Sequence, residues 1–85
     1  MSELSKLPNL GAVLEEKLLQ VGIETPEQLK QIGSKQAWLD IKAIDPDACY
    51  NSLCALEGAI QGVRWHSLSS DDKEELKKFF NSFKI

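Results

Sequence analysis

His66 is the only histidine in the chain, and it stands close to Ser67, Ser69 and Ser70. A histidine beside a serine is the minimum for a nucleophile and its base. Serines leading into a helix are also what capping needs, and that reading is preferred here. Cys49 and Cys54 lie five residues apart in a segment read as one helix, which points them about 140° apart. A disulfide between them would distort the helix. Neither belongs to a CxxC pair, a histidine cluster or an HExxH motif, so both are read as small buried hydrophobes. No Gly-rich phosphate loop has a known spacing, and no pair of carboxylates marks a cleft. The sequence predicts no enzyme, no metal and no cofactor.

Binding chemistry has more to draw on. Leu7-Pro8-Asn9-Leu10-Gly11 reads as a tight turn, with Asn9 and Gly11 at positions that tolerate positive φ. A helix follows at once. Such a turn presents backbone N–H groups at the positive end of the helix, where a phosphate can be held. Contacts of that kind grip the DNA backbone and read little sequence. The candidate phosphate contacts are Lys6, Asn9, Leu10, Gly11, Ala12 and Lys17. Residues 1–33 carry three lysines against five glutamates, and Glu15 and Glu16 follow the turn closely. The turn is therefore read in two ways, as a phosphate site or as a purely structural bend.

A second candidate surface lies on the helix expected over Ala48–Gln61. Cys49, Leu53, Leu56 and Ile60 make one large apolar face. Ala48, Asn51, Ser52, Ala55, Gly58, Ala59 and Gly62 occupy the other side. A solvated face normally carries Lys and Glu, so this helix is expected to be central and packed on both sides. Ala55, Gly58, Ala59 and Gly62 are candidates for internal helix packing or for a face that docks a partner or a second copy. Glu57, at the boundary, needs donors. It is read with Trp65 as a structural clamp, with loop N–H groups, the Trp65 indole or Arg64 as candidate partners. Base stacking would need exposed aromatics within a basic groove. Trp38 has little positive charge around it, and Trp65 precedes Leu68, so core roles are favoured for both, with room for one of the two rings to be half exposed.

The elements that must position these residues are short helices. Alternating apolar and polar residues never persist, which argues against strands. The first helix is expected near Ala12–Val21, with Leu14, Leu18 and Val21 on one stripe and Gly22 as its left-handed cap. Thr25-Pro26-Glu27-Gln28 is a capping box with proline at the first helical position. That helix ends at Gly33 and turns Leu29 and Ile32 inward. Ser34 is expected to cap a third helix near Lys35–Ala43, carrying Ala37, Trp38, Ile41 and Ile44. Asp45-Pro46-Asp47 breaks the chain. After the fourth helix, Ser69 caps a fifth, with Asp71, Asp72, Glu74 and Glu75 early and Lys77, Lys78 and Lys84 late, as the helix dipole favours. Leu76, Phe79, Phe80 and Phe83 form its apolar stripe.

The 85 residues make one domain, 1–85, with 42% hydrophobic and 27% charged residues. These are values of an ordered globular domain. No apolar run approaches the roughly 20 residues of a membrane span, and the first residues lack the layout of a secretory leader. Together with cysteine use, this points to the cytoplasm. Net charge is −3, with nine lysines and one arginine, Arg64. That balance argues against tight nucleic-acid binding and favours docking of a protein partner or self-association. Weak DNA binding through the turn is the alternative.

The opening Leu7-Pro8-Asn9-Leu10-Gly11, with Gly22-Ile23, Thr25, Gln28-Leu29 and Gly33, resembles the TfoX C-terminal domain family. So does Leu53-Cys54-Ala55-Leu56-Glu57-Gly58-Ala59, followed by Gly62 and Trp65. The resemblance covers nearly the whole chain. It implies an all-α fold of five small helices with a helix-hairpin-helix-like N-terminal part. It also implies a setting in bacterial competence and transcription regulation, and it supplies no catalytic residue. The sequence is similar to stand-alone versions of this domain. It departs from typical DNA-binding hairpins at Asn9, where glycine is frequent. It departs from its relatives at Cys54, where an aromatic residue is expected.

Overall fold

The computed structural model describes residues 3–46 and 48–82. Asp47, Phe83 and Lys84 lie outside them. Among the described residues there are five α-helices and no strand: α1 (Ala12–Gln20), α2 (Pro26–Ile32), α3 (Ser34–Ile44), α4 (Tyr50–Gln61) and α5 (Ser70–Ser82). Two 3-10 turns, Glu3–Lys6 and Trp65–Ser67, precede α1 and α5. The element ahead of the Leu7–Gly11 bend is thus a single 3-10 turn, not an α-helix.

Local chemistry sets most of the boundaries. At α2 the Thr25 hydroxyl accepts from the Gln28 N–H at 3.2 Å, and the Gln28 side chain accepts from the Thr25 N–H at 3.2 Å. Two orphan donors are satisfied reciprocally. At α5 the Ser69 hydroxyl accepts from the Asp72 N–H at 3.1 Å. Asp71 and Asp72 occupy the first turn, at the positive end of the dipole.

The junction between α2 and α3 differs from expectation. A single residue, Gly33, ends one helix and begins the next, at φ 86° and ψ 157°. That conformation is essentially open to glycine alone. Ser34 therefore sits inside the first turn of α3 and does not cap it. The inward placement expected of Ile32 also fails, for a reason that Ile44 shares. Ile32 and Ile44 are the last residues of α2 and α3, where the stripe runs beyond the packed part, and they are 39% and 48% exposed. The fourth helix begins at Tyr50, so Cys49 is its exposed N-cap and not part of its apolar face. Gly11 has φ −83°, ordinary extended backbone, whereas Asn9 is the residue with positive φ, at 70°.

α4 is the centre of the fold. It packs on α2, α3, α5 and the Trp65–Ser67 turn. Leu53, Cys54, Ala55, Leu56, Gly58 and Ala59 are all buried on it. Trp38 of α3 is fully buried. Its indole N–H donates to the Cys49 carbonyl at 3.0 Å, and its ring meets Phe79 and Phe80 edge-on at 6.1 and 5.6 Å. Leu18, Ile23, Leu29 and Ile41 close the core from the N-terminal half. Each fully buried side chain of this size contributes about 1.5–3 kcal/mol. In a small chain, this single core sustains the whole fold.

Candidate functional site

Asn9 joins two distant loops. Its backbone is left-handed, a conformation asparagine tolerates better than most residues. The Asn9 Nδ2 donates to the Val63 carbonyl at 2.9 Å, and its Oδ1 accepts from the Trp65 N–H at 3.1 Å. One side chain thus satisfies an acceptor and a donor of the loop after α4. The asparagine in place of a hairpin glycine has a structural use that the sequence reading did not include.

Gly58 makes this clamp possible. A Cβ there would lie 2.5 Å from Asn9 Nδ2, 2.8 Å from the Val63 carbonyl oxygen and 3.3 Å from Trp65 Cα. The small side of α4 is thus covered at Gly58 by the chain's own loops. Ala55 and Ala59 are buried as well, and Gly62 alone of the four is exposed, in the left-handed C-cap of α4.

The candidate phosphate contacts separate. Lys6, Gly11 and Ala12 are exposed and Leu10 is buried. The Asn9 amide is used in the clamp. Lys17 forms an ion pair with Asp45, at the end of α3. Of the candidates, Lys6 and the residues at the start of α1 are thus open to solvent, while Lys17 is neutralised by a carboxylate.

Glu57 clamps a different junction from the one expected. Its Oε1 accepts from the Ser34 hydroxyl at 2.6 Å and its Oε2 accepts from Gln61 Nε2 at 2.6 Å. Gln61 Nε2 also donates to Asp72 at 3.0 Å. This chain ties α3, α4 and α5 around an open cavity of about 340 Å³, with Ile32 and Leu76 as its apolar lining. The partners expected for Glu57, Trp65 and Arg64, lie in the loop that Asn9 holds. Fold geometry decides this, because Gly33 delivers Ser34 to α4.

Of the two tryptophans, Trp65 is the partly exposed one. It is 36% exposed, and its ring stacks on His66 with centroids 4.4 Å apart and planes 25° from parallel. The Lys73 ammonium donates to the His66 carbonyl at 3.1 Å. Arg64 is exposed beside them. His66 is thus paired with an aromatic ring, and Ser69 is engaged as a helix cap. Among the described residues no three His, Cys, Asp or Glu side chains are grouped to hold a metal ion. No described helix is long and apolar enough to cross a membrane.

The thiols differ. Partial burial pushes the Cys49 thiol up, but hydrogen bonds with the Ser52 side chain and with nearby backbone groups outweigh it, so its pKa lies below 9.0. Burial pushes the Cys54 thiol above its ordinary value. Burial, with Cys54 as neighbour, also raises the Tyr50 phenol to about 12. The Tyr50 hydroxyl donates to the Lys73 carbonyl at 3.1 Å.

Fold and site together define a small all-α domain in which polar side chains tie loops and helix ends to a central helix. The pattern of the TfoX C-terminal domain matches residues 1–80, and the chain belongs to that family. Protein Sxy of Escherichia coli K12 is 33% identical over 79 residues, covering 93% of this chain and 38% of its own length. The DNA transformation protein TfoX of Haemophilus influenzae Rd is 32% identical over 81 residues, 95% of this chain and 37% of its own length. The chain therefore spans less than two fifths of these two relatives. An uncharacterised protein from Listeria monocytogenes, solved in a triclinic form, is 53% identical with a TM-score of 0.94, over 95% of this chain and 92% of that one. A tetragonal form of a Listeria monocytogenes protein of unknown function gives 53% and 0.93, over 95% and 99%.

Proposed function

We propose that this chain is a non-catalytic regulatory module of bacterial competence, acting in the cytoplasm by docking a protein partner or a second copy of itself. One observation carries the reading. Val13 and Ile44, 67% and 48% exposed, flank a groove of about 370 Å³ between α1 and the end of α3. The face of small residues on α4, by contrast, is largely covered from within. The two apolar side chains stand beside Glu16, Lys17, Gln20 and Asp45, and exposed apolar groups with a polar rim favour association. The test is sedimentation equilibrium of the domain and of a Val13→Asp, Ile44→Asp double variant. A mass that falls towards the monomer on dilution, and that the double variant abolishes with its helical spectrum intact, supports docking through this groove. A monomer at every concentration overturns self-association.

The second reading is weak, sequence-independent DNA binding through the turn at Lys6–Ala12. It is favoured by what the Asn9 clamp brings together. Residues 4–14 and 58–70 contain none of the chain's 13 acidic side chains, and they hold Lys6, Arg64 and His66. The two stretches meet at Asn9, Val63 and Trp65. An amide NMR titration with a short duplex tests it. Shifts at residues 9–12 that fade as salt rises support phosphate contact; no shifts at low salt overturn it.

A further inference from the structure

We propose that the Trp65–His66 stack, with Arg64 beside it, is a stacking platform for an unpaired nucleobase, so that this edge of the domain prefers single-stranded nucleic acid to duplex. The proposal rests on the second reading above and names the ligand of that same edge.

Exposure comes first. Trp65 is 36% exposed although most large apolar side chains of this chain are in the core, and His66 is exposed too. Their rings are 25° from parallel at 4.4 Å. The indole covers one face of the imidazole of an exposed residue, so a stacking ligand would take the opposite face. A planar base placed there extends a stack that already exists, and every base has a face able to do so.

The second support is rigidity. The Trp65 N–H is held by Asn9, Val63 is held by the same side chain, and the Lys73 ammonium grips the His66 carbonyl. The backbone that carries both rings is thus tied to the N-terminal turn on one side and to α5 on the other. Little ordering cost remains for a ligand that uses them.

Charge decides the class of ligand. A protein hot spot also favours tryptophan and arginine. Here Arg64 adjoins the platform in sequence, Lys6 lies three residues before Asn9, and the stretch that carries both rings holds no acidic residue between Glu57 and Asp71. A phosphodiester backbone supplies the matching negative charge. Duplex DNA keeps its bases stacked inside, so only an unpaired strand offers a free base together with phosphates.

The experiment is NMR titration of the intact chain with oligothymidylate, oligouridylate and a duplex of equal length, at low salt. The two indole N–H signals are assigned with Trp65→Phe. The expected result is movement of the Trp65 indole and His66 ring signals with either single strand, while the Trp38 indole stays still. Oligothymidylate and oligouridylate distinguish DNA from RNA as the source of the base. Single-strand affinity is expected to fall about tenfold in His66→Ala, in line with stacking contributions, with duplex affinity unchanged. In Arg64→Ala both affinities fall and the salt slope shallows. If the amides of residues 9–12 move but the Trp65 and His66 rings do not, the platform is overturned and the phosphate-binding turn survives. If duplex and single strand act alike, and His66→Ala weakens both equally, base stacking is overturned. If nothing moves, both readings fall.

Discussion

Trp38 and Trp65 show how differently one small fold uses the same residue type. Trp38 is fully buried, its N–H is bonded to the Cys49 carbonyl, and its ring edges meet two phenylalanines of α5. Every part of it faces protein from helices that pack on one another. Trp65 is fixed through its backbone instead. Asn9 holds the N–H, while the ring lies on His66 and faces solvent. The first arrangement is what a core of this size needs. The second leaves a rigidly held aromatic partly exposed at the surface.

The comparison is most easily broken at Trp38. Trp38→Ala removes the largest buried side chain and is expected to cost about 3–5 kcal/mol. Trp65→Ala is expected to cost less than half as much. Urea midpoints of the two variants check this, and equal losses would remove the distinction. Next is the contact that links the two regions. Gly58→Ala places a methyl against Asn9 and the Val63 carbonyl, with an expected loss of about 1–3 kcal/mol. Displaced Asn9 side-chain amide signals would accompany it, and an unperturbed, equally stable variant would mean that the loops yield freely.

Asn9→Ala tests the clamp alone. Two bonded backbone groups lose their partner, and a residue at φ 70° loses its tolerance for that backbone. The expected loss is about 1–3 kcal/mol, with faster amide exchange at Trp65. Asn9→Gly keeps the backbone freedom without the bonds, so its loss is expected to be smaller.

Two weaker tests sharpen the picture within α4. Cys49, exposed and with its thiol pKa lowered, is expected to react with iodoacetamide near neutral pH, because the thiolate is the nucleophile. Cys54, buried and raised, reacts only when the fold opens. Peptide mapping after a short pulse distinguishes them. The smallest effect concerns Tyr50. Its folded pKa, about 12, exceeds the ordinary value of 10.0. The folded state therefore holds the phenol proton more firmly than the unfolded state does. Its contribution is complete below pH 10 and is lost as pH rises towards 12. Tyr50→Phe is expected to flatten that alkaline limb in denaturation curves recorded at rising pH.

Much of the fold was legible because its signals are local. The Thr25–Gln28 box, the Ser69 cap and the positive φ of Asn9 each depend on residues within a few positions. The stripe on α5 and the scarcity of large charged residues on α4 needed only helical periodicity. The candidate site was less legible. Asn9 bonds to residues 54 and 56 positions away. Ser34 meets Glu57 across 23, and Lys17 meets Asp45 across 28. No local pattern announces such pairs. Exposure of Ile32 was missed, and which tryptophan is half exposed was left open, for the same reason, since a stripe shows which side of a helix is apolar but not where its packing partner ends.

The sequence by itself determined the all-α class, the starts of α1, α2 and α5 and the family, because capping, periodicity and motif spacing are properties of neighbouring residues. Only the tertiary structure decided what those helices hold. It turned a hairpin asparagine into a clamp, paired Lys17 with a carboxylate, covered the small face of α4 from within and left Trp65 stacked on His66 in the open. Each of these follows from distance in space between groups far apart in the chain, and the chain fixes that distance only when the central helix is packed against α2, α3, α5 and the Trp65–Ser67 turn.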